Sequence, residues 1–278
     1  MDLIYETTRM PDLDESLDAL SLAYKPGGKG SNTAIAIYRG CHNKPNSENG
    51  VAAPAAQENG VSTGGTDKKE PEIKVYLNTA IGNDQFGQTL KKNLETNGID
   101  TSGVRQHSND QTGTCAVFVE KHSGNSRDIG FPGANTNWQP KYQDSVECLA
   151  GGNKPDLIVT HLENKRETVE AVLNSANKNG VETLLNPSPV YYLLAPIYKT
   201  VTHLLINERE AAELADIPEK ELESAEKLLE ACENFMEQGV KHVVITLGAK
   251  GAFYATEGDH GTVPAVKNVK VKDATGAG

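Results

Sequence analysis

Apolar positions along the chain fall into two alternating textures. Residues 72–78 (EIKVYLN) are rich in β-formers. Residues 84–97 follow with Phe86, Leu90 and Leu94 at helical spacing and Gly98 as a stop. Residues 156–162 predict a short buried strand, and residues 167–178 a helix with one stripe of Val169, Val172, Leu173 and Ala176. Strands are predicted again at 181–186 and 203–206, then a helix over 221–236 with Leu222, Ala225, Leu229, Cys232 and Met236 on one face. Residues 241–247 and 251–256 close the series as strands. Short strands alternating with helices of about 10–15 residues spell βαβ units. The expected class is α/β, a three-layer α/β/α core around a mostly parallel sheet.

Two stretches break this rhythm. Between Thr101 and Asn135, residues 111–120 and 126–131 read as paired strands joined by the glycine-containing loop 121–125, and residues 17–24 also read as a strand. They predict a small antiparallel β lid, with strands drawn from 2–25 and 101–135, beside a single domain. Such a flap can close over a ligand and exclude water. Residues 42–72 hold no aromatic, leucine or isoleucine. They bury too little apolar surface to offset their ordering entropy, so a disordered surface insertion is expected there.

Charge narrows the function. Lys plus Arg number 27 and Asp plus Glu 38 in 278 residues, a formal charge of −11. That argues against nucleic acid or an anionic membrane as main partner, since both reward a basic face. The apolar runs are far shorter than the roughly 18 residues of a membrane span. The first ten residues show no signal-peptide pattern. Cys41, Cys115, Cys148 and Cys232 are scattered, without a C-x-x-C pair. A reduced, cytoplasmic setting is expected, with the nucleus left open.

Four strings have the composition of ligand-binding turns. Gly27-Gly-Lys-Gly-Ser-Asn32 runs into the helical period Ala34, Ile37, Tyr38, and its glycines let backbone approach a ligand at a helix start. An ordinary glycine turn fits it equally. Asp273-Ala-Thr-Gly-Ala-Gly278 has three small residues suited to an N–H nest around a phosphoryl group, or to a plain turn. Asn207 and Glu210, three apart in Asn207-Glu-Arg-Glu210, share a face and suit a hydrated Mg²⁺. They equally form a helix capping box. Thr246-Leu-Gly-Ala-Lys-Gly251 links two strands and suits a flat ligand such as a nucleotide, or a simple hairpin. The seven histidines have no metal-ligand spacing and read as surface or core residues.

Taken in order, these strings, with Ile81-Gly-Asn-Asp-Gln-Phe-Gly87, Gly133-Ala-Asn135 and Asn186-Pro-Ser-Pro189 between them, resemble the ribokinase-like (PfkB) carbohydrate kinases. The likeness runs over the whole chain apart from 42–72. It points to the family's ribokinase branch, because other branches typically replace Lys29. The resemblance implies ATP-dependent phosphorylation of D-ribose at its 5-hydroxyl. The alternatives are another sugar or nucleoside kinase of the family, or a non-catalytic sugar- or nucleotide-binding relic. It places Asp2, Gly28, Lys29, Asn32 and Glu163 on the sugar, and Asn207, Glu210, Thr246, Gly248, Gly251 and Gly278 at ATP, with Asn207 and Glu210 near Mg²⁺. It also implies a K⁺ loop at Asp273 and Thr275, and an anion hole from Gly276, Ala277 and Gly278. A homodimer joined through the flap is a further implication. The family's general base would follow Gly278 and its first strand would precede Met1. Both ends are therefore expected to be clipped, and these 278 residues to turn over little substrate.

Overall fold

The computed structural model describes residues 1–42, 73–140, 145–191 and 193–267. The expected insertion therefore lies outside the described residues except for His42, as do Asp273, Thr275, Gly276, Ala277 and Gly278. The first half contains β1 (Asp2–Thr7), β2 (Ser21–Lys25), α1 (Lys29–Cys41), β3 (Thr79–Gly82), α2 (Gln85–Thr96), β4 (Val104–His107), β5 (Thr114–Glu120) and β6 (Ser126–Phe131). The second contains β7 (Leu157–His161), α3 (Arg166–Lys178), β8 (Glu182–Asn186), α4 (Ala195–Tyr198), β9 (His203–Asn207) and α5 (Glu208–Ala215). It ends with α6 (Ala225–Glu237), β10 (His242–Thr246), β11 (Ala252–Thr256) and β12 (Asp259–Val263).

Strands β7, β8, β9 and β10 pair in parallel, as βαβ crossovers require, and β11 and β12 extend the sheet as an antiparallel edge. Alternation along these strands turns Leu185, Leu204, Ile206, Val243, Ile245, Phe253 and Ala255 to one face. There they meet Leu173 of α3, Ala211 of α5 and the Leu228, Ala231, Cys232, Phe235 stripe of α6. Full burial of each large side chain contributes about 1.5–3 kcal/mol, so this cluster anchors the domain. On the other side α1 packs on β7. A second pair, β3 and β4, runs parallel, with α2 against β3.

The lid is a separate four-stranded sheet in the order β2-β1-β5-β6. Its outer pairs are antiparallel, but β1 and β5 run parallel in the middle, Asp2 opposite Cys115. The sheet is therefore mixed, because its two hairpins come from distant parts of the chain.

Three elements differ from their sequence-based expectation, among them the strand expected over 17–24, which forms only at Ser21–Lys25, and one strand, β12, is not expected at all. Within 72–78 the described residues form only a bridge from Tyr76 to Asp100. The Val75 carbonyl and Leu77 N–H both bond Asp100, and the turn closed by the Val104 N–H on the Thr101 carbonyl interrupts the ladder. Pairing resumes at Thr79 with Val104. The helix expected over 221–236 begins at Ala225, because the Ser224 hydroxyl caps it by accepting the Lys227 N–H at 3.3 Å. Leu222 reaches the core from the loop before it, while Leu229 and Met236 flank the buried stripe. Strand β12 (DHGTV) carries no apolar alternation because it is an edge strand with little to bury.

Candidate active site

Parallel pairing sets the carboxyl ends of β7 to β10 in one row. His161 is level with Asn186, and Asn207 with Thr246. Crevices beyond such ends are where open α/β sheets bind ligands. A polar chain spans the first part of the row. The Asn186 amide donates to the Leu205 carbonyl at 2.8 Å, which turns its oxygen to His161 Nδ1 at 3.0 Å. The proton therefore sits on Nδ1, and Nε2 accepts from the Thr33 hydroxyl at 3.0 Å. Burial, opposed by the Asn186 bond and aided by nearby Lys29, holds this imidazole below the usual histidine range, which favours the neutral ring. Reading the histidines as plain residues missed this link between α1 and β7. The available signal was His161 ending a strand two positions before Glu163.

Three elements converge on the N-terminus of α1. Gly28 caps the helix at φ 99°, a conformation that favours glycine. The Lys29 N–H, one of the helix's free donors, reaches Glu163 Oε2 at 2.9 Å just beyond β7. A Cβ at Gly27 would fall on the Asp2 carboxylate, so the glycine leaves that side chain its place beside the turn. Solvent reaches Glu163, yet the surrounding protein withholds enough water that desolvation raises its carboxyl above the usual range. The Lys29 N–H and charge oppose that rise. Desolvation raises Asp2 likewise. Two carboxylates beside the helix N-terminus, in a place that solvent reaches, are acceptors for hydroxyl groups. Asp2, Gly28, Lys29 and Glu163 are thus brought together. Asn32, exposed one turn along α1, lines a groove with Pro26, Ile35, Arg39, Asn93 and Asn97.

The second cluster sits two strands from β7, roughly 10 Å by ordinary strand spacing. Here the capping box is formed. The Asn207 oxygen accepts the Glu210 N–H at 2.8 Å, and Glu210 Oε2 accepts the Asn207 N–H at 3.0 Å. Each of these oxygens accepts one cap bond, and the box leaves Glu210 Oε1 unused. Thr246 ends β10 beside Asn207, and the turn from Gly248 to Lys250 leads to Gly251 at φ 101°. Lys250 Nζ lies 3.6 Å from Glu208 Oε1, tying this turn to the start of α5.

Comparison with known proteins places the chain in a family. The family model described as pfkB family carbohydrate kinase matches residues 52–278. A deoxyribokinase of Salmonella typhi is 30% identical over 279 residues, covering 100% of this chain and 79% of its own length. A ribokinase of Schizosaccharomyces pombe is 29% identical over 283 residues, covering 100% of this chain and 78% of its own. In fold, the Arabidopsis thaliana ribokinase complexed with ribose and ATP matches with TM-score 0.78 at 22% identity, covering 99% of this chain and 78% of that one. The chain belongs to the pfkB family of carbohydrate kinases.

Proposed function

We propose that this kinase transfers the γ-phosphoryl group of ATP to the 5-hydroxyl of D-ribose. The observation that carries the reading is the meeting of Asp2 and Glu163 at the Gly28-Lys29 helix start, a place equipped to accept several sugar hydroxyls. The second cluster, Asn207, Thr246, Gly248 and Gly251, takes the nucleotide, and Asn207 and Glu210 face the waters of its Mg²⁺. Gly276, Ala277 and Gly278 supply backbone donors to the migrating phosphoryl group, and Asp273 and Thr275 border a K⁺ site. Catalysis is mainly positioning and charge stabilisation. The 5-hydroxyl attacks the γ-phosphorus in line as the bond to ADP breaks, and its proton passes to a carboxylate general base. Mg²⁺ neutralises charge on the phosphates when bound.

Binding tests the reading without requiring turnover. Calorimetric titration with D-ribose, 2-deoxy-D-ribose, D-fructose and adenosine is expected to give ribose the lowest Kd, by about tenfold over fructose and adenosine. The deoxyribokinase relative favours a second reading, in which the 2-hydroxyl is not used. Equal Kd values for ribose and 2-deoxyribose would select it. Best binding of adenosine, or of no sugar, overturns both.

The reading extends to a homodimer. One face of the lid carries the row Tyr24, Leu3, Ala116 and Ile129 and the row Leu22, Tyr5, Phe118 and Arg127. Ile129 is 69% exposed and Tyr24 55%, an apolar surface suited to a second copy. Sedimentation of wild type is expected to give a dimer and of Ile129→Asp a monomer. A monomeric wild type rejects it. No helix among the described residues is long and apolar enough to cross a membrane.

A further inference from the structure

Residues 81–87 and 133–135, which the sequence singles out, take no part in the site above, yet they meet at the root of the lid. Strands β5 and β6 leave the body side by side, Thr114 opposite Phe131. Directly before them the Asp84 carboxylate gathers donors. Thr112 gives it both its N–H, to Oδ2 at 2.7 Å, and its hydroxyl, to Oδ1 at 2.6 Å. The Gly87 N–H adds a third bond at 2.8 Å and makes Asp84 the N-cap of α2. The Thr112 oxygen in turn accepts the Gly82 N–H at 2.9 Å, and Thr112 is only 3% exposed.

The second strand is held at the same level. The Ala134 N–H donates to the Gln111 carbonyl at 2.8 Å, and the Thr79 hydroxyl to Asn135 Oδ1 at 3.0 Å. Glycines make the junction possible. A Cβ at Gly87 would lie 2.5 Å from the Gly82 carbonyl, one at Gly113 2.7 Å from the Pro132 carbonyl, and one at Gly82 on the Asp110 carbonyl. Burial alone would raise the Asp84 carboxyl. Thr112 and the Gly87 and Phe86 amides overcome it and hold the group below the usual range, so it stays ionised.

Asp2 hangs from this junction, because β1 pairs with β5 in the register Asp2 to Cys115, three residues after Thr112. We propose that Asp84 is a positioning residue which, through Thr112, fixes the lid's root on the body and so sets where Asp2 stands over the sugar. The effect on sugar rests on the kinase reading above, whereas the effect on the lid does not.

Hydrogen–deuterium exchange without ligand, paired with ribose and ATP titrations, tests the proposal on Thr112→Val, Thr112→Ser and Asp84→Asn. Thr112→Val and Asp84→Asn are expected to speed exchange in β5 and β6 about tenfold while α6 and β10 stay at wild-type rates. Ribose Kd is expected to rise about tenfold with ATP Kd unchanged, and Thr112→Ser to restore both readouts. Lid exchange in Thr112→Val equal to wild type overturns the proposal, as does equal acceleration in α6. Should wild type bind no ribose, the kinase reading fails, and the exchange data still decide the anchor.

Discussion

Replacing Glu163 by glutamine is expected to weaken ribose binding by about 10- to 100-fold, the loss that follows when a charged acceptor worth about 1.5–3 kcal/mol becomes neutral. The Lys29 N–H already occupies Oε2, so the amide must keep its oxygen there and turn its NH₂ toward the sugar. A donor then faces hydroxyls that had found an acceptor. The pH profile adds a second, independent sign. The folded-state Glu163 carboxyl titrates above its ordinary value of 4.5, because desolvation outweighs the Lys29 contacts. Ribose affinity is therefore lost as pH falls through that raised value, earlier than an ordinary glutamate would allow. The stability of the unliganded protein moves the other way. The proton on Glu163 favours the folded state, so its contribution is full below the unfolded value and disappears as pH rises through the folded one. Asp2, raised for the same reason, adds in the same direction. Calorimetry from pH 8 down to about pH 4, the ordinary carboxylate range, should show Glu163→Gln losing affinity at neutral pH and flattening the acid limb. An unchanged ribose Kd in the variant removes Glu163 from the site.

The second large effect is expected at Gly251. Alanine there must adopt φ 101°, which L-residues avoid, and its Cβ would run into the Val263 carbonyl and lie 2.7 Å from the Ala265 N. Neither obstacle is a side-chain end that can swing aside. Both belong to the backbone leaving β12, so the β11–β12 hairpin must shift. Gly251→Ala is expected to cost about 3–4 kcal/mol, or roughly 5–7 °C in Tm. It should also weaken the nucleotide, because the Leu247 N–H on the Gly251 carbonyl at 2.8 Å closes the turn holding Thr246 and Gly248. Gly248 is the internal control. Its φ is 55°, but nothing lies within 4 Å of a Cβ, so Gly248→Asn should be almost neutral. Calorimetric melting of the two variants decides the matter. A Gly251→Ala midpoint within about 2 °C of wild type would show that the hairpin yields freely.

The contrast between those two glycines shows what a string of letters holds. Thr246-Leu-Gly-Ala-Lys-Gly251 predicts a tight strand-to-strand turn, and β10 and β11 do meet there. Which glycine tolerates a side chain depends on the Val263 carbonyl, twelve residues on and on another strand. The same holds at Asn207 and Glu210. The capping box was one of two readings of the sequence, and the geometry forms it with both bonds.

The α/β class, the α3 stripe and the succession β7, α3, β8, β9, α6, β10 and β11 are legible in the sequence alone, because periodicity records which face of one element is buried. The lid's mixed pairing, the break before Thr79 and the polar edge β12 arise from contacts between elements. So do the contact of Lys29 with Glu163, 134 positions apart, and the Thr33–His161–Asn186 chain. No local pattern encodes such meetings. They exist only once burial of the strands' apolar faces has fixed where each strand ends, and that is decided by packing in three dimensions.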